Sequence, residues 1–143
     1  MKIRKFSIKD YEEVVNMHYE FCKEVYPNRA IGAKYAFYLL IDKWITSNCD
    51  IVVAYNKDEI CGFSMCFVNN MDGLTEPVYQ AEIAYIKPQH RKGRAAYLLY
   101  NNAYQYAKEQ ELKIVTLSRT INKVDEMVNK HFNLNKTYIM YEG

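Results

Sequence analysis

A run of residues just past the middle of the chain, Pro88 to Tyr97 (PQHRKGRAAY), gathers Arg91, Lys92 and Arg94 around Gly93. The residues before it, YQAEIAYI, alternate as a strand does, and those after it, LLYNNAYQYAKEQ, have helical spacing. A helix N-terminus carries unpaired backbone N–H groups and a partial positive charge. A phosphate seated there gains from both. Gly93 has no side chain to hold a ligand off the backbone, and it tolerates positive φ. The three cations add charge, and the arginines add forked donors. Ala95 and Ala96 keep the first helical turn narrow. This junction therefore reads as a pyrophosphate cradle, against the plainer reading of a charged, solvated turn.

A second candidate stands upstream. Strand alternation puts Val78, Gln80, Glu82, Ala84 and Ile86 on one face. A carboxylate among such neighbours is partly desolvated, which raises its pKa towards neutrality. Glu82 then suits a general base acting on an ammonium group, directly or through water. The competing reading is a surface glutamate on a half-exposed strand.

Other chemistry finds little support. GxxxxGK[ST] and GxGxxG are both absent. The cysteines, Cys22, Cys49, Cys61 and Cys66, form no CxxC pair and no zinc spacing. They read as reduced thiols of a cytoplasmic protein with no metal. The net charge of +2 argues against a nucleic-acid binder. No apolar run is long enough to cross a membrane. His18 lies on an apolar helical side and reads as packed.

The elements that position these residues follow from periodicity. Strands are expected over 2–8, 51–55, 59–68, 78–86, 112–118 and 135–142, with the second and third forming a hairpin. Helices are expected near 10–25, 33–47, 94–111 and 122–132. The length of 143 residues suits one domain, 1–143. Antiparallel strands followed by a right-handed βαβ crossover imply an α/β fold with a mixed sheet flanked by about four helices.

This element order, together with AEIAYIKPQHRKGRAAYLLYNNAYQYAKEQELKIVTLS, resembles the GNAT superfamily of N-acetyltransferases. The family hallmark is [Q/R]-x-x-G-x-[G/A] between a strand and a helix. In one register Gly93 and Ala95 match and His90 departs. In the other, Arg91 and Ala96 match and Arg94 replaces the glycine, with Gly93 one place earlier as in some phage-type members. Both registers stay open.

The resemblance implies acetyl-CoA as co-substrate and an unidentified primary amine as acceptor. It implies pantetheine pairing with backbone groups of Tyr85, Ile86 and Lys87. It places the pyrophosphate on the amides from Arg91 to Ala96, with Arg91, Lys92 and Arg94 as side-chain contacts. Asn122 would touch pantetheine, unless it only caps a helix. Tyr26 and Arg29, with Tyr19, would line the acceptor pocket. Glu82 matches the glutamate base of histone-type members. The family's acid tyrosine is replaced by Met127, leaving His131 and Tyr138 as substitutes. That loss supports an alternative, a catalytically weak acyl-CoA-binding module. Family members often dimerise, so a homodimer is expected too.

Overall fold

The computed structural model describes residues 1–25, 49–70 and 76–116, with Pro27 and Lys130; the side chains at 82–84 fall outside that description. The expected helices over 33–47 and 122–132 and the closing strand over 135–142 also lie outside the described residues.

Five strands form one sheet in the order β1 (Lys2–Lys5), β2 (Cys49–Asn56), β3 (Glu59–Asn69), β4 (Val78–Ile86), β5 (Lys113–Thr116). The first four pair antiparallel, and β4 pairs parallel with β5. The mixed sheet and the crossover expected from sequence are both present. β2 and β3 form the expected hairpin, closed by Lys57 at φ 55°. β1 is shorter than the strand expected over 2–8. Ile8–Asp10 turns as a 3₁₀ helix, and Lys2, Arg4 and Lys5 are exposed.

That turn is locked by charge. Arg4 donates from Nη1 and Nη2 to the two Asp10 oxygens at 2.6 and 2.8 Å, and Ser7 N donates to Asp10 Oδ2 at 2.8 Å. The Arg4 hydrogen bond holds the Asp10 carboxyl below the usual carboxylate range, against the opposing effect of burial.

Helix α1 (Tyr11–Val25) follows at once. It buries Val14, Val15, Met17, His18 and Cys22, an apolar stripe at helical spacing. The stripe packs against Ile51, Val53, Phe63, Met65 and Tyr85 on one sheet face. His18 is fully buried, with its ring edge-on to Phe63, as expected of a packed histidine.

Helix α2 (Ala95–Glu109) covers the other face. Ala95, Leu99, Ala103 and Ala107 repeat every four residues, and the small side chains bring the helix close to the strands. Ala95 and Leu99 meet Val52, Ala54 and Ile86, while Ala103 and Ala107 meet Cys66, Tyr79 and Ala81. Tyr106, placed by periodicity on the apolar side, lies at its margin, its ring 4.9 Å from that of Tyr79.

Candidate active site

The alternation expected along β4 breaks at Glu82. Ala81 pairs with Cys66 and Ile83 with Met65, so Glu82 is an extra residue in the ladder. Such a bulge leaves one residue unpaired and exchanges the faces beyond it. The packing records the exchange. Tyr79 and Ala81 face α2, Tyr85 faces α1, and Ile86 faces α2 again. The single face expected for Val78, Gln80, Glu82, Ala84 and Ile86 is therefore corrected to two. Gln80 is buried and accepts a hydrogen bond from Asn69 Nδ2 at 2.9 Å.

Backbone direction at the end of β4 follows from one bond. Lys87 N donates to Cys61 O at 2.9 Å. Gly62 and Ile86 are thus a non-hydrogen-bonded pair, and the neighbouring Phe63–Tyr85 pair exchanges its bonds. The N–H and carbonyl of Ile86 point away from β3; those of Tyr85 and Lys87 point towards it. Of the three residues expected to offer backbone groups to pantetheine, Ile86 has the outward pair. On that side, β5 pairs only with Val78–Ala81 among the described residues. Gly62 lets the strands approach here. A Cβ on it would lie 2.5 Å from Tyr85 O and 3.2 Å from Ile86 Cα.

The basic junction lies directly beyond. Pro88–His90 forms a 3₁₀ turn, residues 91–94 form turns, and α2 starts at Ala95. His90 N bonds Lys87 O, Arg91 N bonds Pro88 O and Gly93 N bonds His90 O. The first bond of α2 runs from Leu98 N to Arg94 O. Ala95 and Ala96 therefore have no intrahelical partner for their amides. No side chain caps this start, and no acidic residue stands in its first turn. A helix opening of that kind accepts an anion. Lys92 and Arg94 are exposed beside it. Gly93 does not use positive φ. A Cβ there would meet only His90 O, at 3.4 Å. Its contribution is bare surface over the turn.

Arg91 turns elsewhere. Its Nε donates to Ile86 O at 2.8 Å and its Nη2 to Glu24 Oε1 at 2.6 Å. Its guanidinium carbon lies 5.4 Å from the Tyr85 ring centroid. Lys87 reaches Glu13 of α1, with Glu59 at 4.0 Å, and His90 Nε2 is 3.3 Å from the same Glu59 oxygen.

Between α1 and the end of β4 runs a groove of about 400 Å³, lined by Glu13, Asn16, Met17, Glu20, Glu24, Tyr85, Lys87 and Pro88. Sequence reasoning did not single out the three glutamates. Their signal was available: positions 13, 20 and 24 repeat along one helical flank. Burial, and then Glu24, raises the Tyr85 phenol above its ordinary range. Among the described residues, no His, Cys, Asp and Glu cluster is arranged for a metal.

The acetyltransferase (GNAT) family model matches residues 11–127. The chain belongs to that family. This GNAT chain is an acetyltransferase. Solved structures share its fold over nearly its whole length. An aminoglycoside 6'-N-acetyltransferase from Acinetobacter haemolyticus is 15% identical, covers 100% of this chain and 97% of its own, and has a TM-score of 0.76. A predicted acetyltransferase from Clostridium acetobutylicum, solved with acetyl-CoA, is 17% identical, with 99% and 94% covered and a TM-score of 0.78. A putative acetyl transferase from Pyrococcus furiosus is 16% identical, with 99% and 98% covered and a TM-score of 0.77. Identities this low show the fold. Curated protein sequences give no match.

Several GNAT positions expected from sequence, namely Tyr26, Arg29, Asn122, Met127, His131 and Tyr138, lie outside the described residues. Glu82 is placed by its backbone alone. No described helix is long and apolar enough to cross a membrane.

Proposed function

We propose that residues 1–143 form one N-acetyltransferase domain that acetylates a primary amine, with both reactants held together in one cleft. The observation that carries this reading is the start of α2. Its uncapped amides, flanked by Lys92 and Arg94, lie one turn beyond the outward main chain of Ile86. The residues fit acetyl-CoA, which supplies an acyl group activated as a thioester. Ala95 and Ala96 would hold the pyrophosphate by their amides, Lys92 and Arg94 by charge, and Ile86 would offer pantetheine its N–H, its carbonyl being held by Arg91.

The acceptor enters by the groove along α1. Its three glutamates are each paired with a cation of the protein, Glu13 with Lys87, Glu20 with Lys23 and Glu24 with Arg91, so the groove offers an amine polar contacts rather than unpaired negative charge. Glu82 takes the ammonium proton. The free amine then forms a C–N bond as the C–S bond breaks; the nitrogen gives its second proton to solvent, and the leaving thiolate takes one from solvent. The bulge at Glu82 turns the backbone of β4 at the point where the carbonyl must be polarised. Holding both reactants in one cleft accounts for much of the rate.

The test is release of free thiol from acetyl-CoA across a library of small amines, beside thermal-shift titration with acetyl-CoA. A cationic amine should accelerate release, and acetyl-CoA should raise the melting temperature. Stabilisation without any accelerated release would point instead to a binding module. No stabilisation at millimolar acetyl-CoA would sink the reading.

A further inference from the structure

The family hallmark invites an arginine-to-phosphate contact, yet the Arg91 side chain is spent on the protein itself. One guanidinium joins three elements. Nε holds the carbonyl of Ile86 at the end of β4, Nη2 holds Glu24 on α1, and its main chain belongs to the turn. The turn needs such a hold. Residues 88, 89 and 91–94 are exposed, and the backbone bonds within 87–94 are short-range ones. Nothing in that set aims the amides at the start of α2. Lys87 adds a second tie, from the strand end to Glu13 on the same helix.

We propose that Arg91 is a positioning residue for acyl-CoA rather than a phosphate ligand. It braces the turn against α1 through Glu24 and fixes the main chain of Ile86, so that the amides of α2 and the strand end face one ligand together. The inference rests on the acetyl-CoA reading above. Glu24 becomes part of the same device, although it lies 67 residues from Arg91 in sequence. Two bonds from one planar fork are needed; a lysine keeps the charge and loses the geometry.

The two roles predict opposite responses at Glu24. If Arg91 were a phosphate ligand, Glu24→Gln would release it to the ligand, and CoA would bind equally well or more tightly. If Arg91 is a brace, Glu24→Gln loosens the turn and CoA binds more weakly. The experiment is calorimetric titration of CoA into wild type, Glu24→Gln, Arg91→Lys, Arg91→Ala and the Glu24→Gln/Arg91→Ala double variant, with steady-state kinetics in acetyl-CoA.

We expect Glu24→Gln and Arg91→Lys each to weaken CoA about three- to tenfold, and the double variant to match Arg91→Ala, since both act through one contact. The acetyl-CoA KM should rise for both variants, measured at saturating amine. The pair is about half exposed, 43% and 47%, so apo melting temperatures should stay within about 2 °C of wild type. Unchanged or tighter binding by Glu24→Gln, wild-type binding by Arg91→Lys, or additive losses in the double variant would overturn the brace. Failure of wild type to bind CoA would instead remove the acetyl-CoA reading on which it rests.

Discussion

The two halves of β4 differ in kind. Val78–Ala81 is bonded along both edges, by β3 and by β5, and its Tyr79 donates to Asp50 Oδ2 at 2.8 Å. Ile83–Ile86 is paired by β3 alone among the described residues, lies past a bulge and ends in the basic turn. One half is sheet interior. The other keeps part of its backbone available and is braced from outside by Arg91 and Lys87. The contrast teaches how one strand can serve two purposes: a single extra residue separates the structural segment from the segment we propose meets ligand.

The sharpest way to break that contrast is at the extra residue. Glu82→Gln should lower kcat/KM roughly 10²- to 10⁴-fold, with acetyl-CoA affinity retained. Rates unchanged from about pH 6 to about 9 would remove Glu82 as the base. Next in size is Gly62→Ala, where the obstacle is the backbone carbonyl of Tyr85. Urea unfolding should show a loss of roughly 1–3 kcal/mol, and acetyl-CoA binding should weaken with it, because the end of β4 must move.

The other half should respond in stability alone. Tyr79→Phe should cost about 1 kcal/mol and leave turnover intact. Burial, then Cys66 and Asp50, push the Tyr79 phenol well above its ordinary range, so it stays neutral in the folded state through alkaline pH. A fall in kcat for this variant would blur the division between the halves. Gly93→Ala tests the opposite end. Melting should change little, since a methyl there meets only His90 O at 3.4 Å, while the acetyl-CoA KM should rise several-fold.

The smallest effect is a silence. Burial, then Cys49 and Asp50, push the Cys66 thiol up to about 12. A thiol reagent at about pH 8 should modify Cys66 only as the protein unfolds. Labelling of the native protein would show that the sheet interior opens.

Much of this was legible in the sequence. Local periodicity carried Val78–Ile86, the hairpin, α1 and α2 to within a few residues, because each is amphipathic over its own length. The junction was legible as well, since cations, glycine and alanines sit together in the chain. The bulge was not. The apolar run IAYI after Glu82 does not by itself mark an extra residue, and only the pairing with Met65 and Cys66 shows that Glu82 is extra. The partner of Arg91 was equally hidden, because an ion pair between residues so far apart in sequence leaves no local mark. Gly93 was read both for its missing side chain and for its tolerance of positive φ, and the structure uses only the first.

β1 remains, four residues reading Lys-Ile-Arg-Lys at the outer edge of the described sheet. An open strand edge is a template on which another chain can add. Here a second copy offering the same edge would bring Lys2 and Lys5 against like charges, Arg4 being paired with Asp10, along a segment too short to reward the pairing. This edge therefore resists adding a second copy of itself, and solubility at high concentration should fall when Lys2 and Lys5 are neutralised.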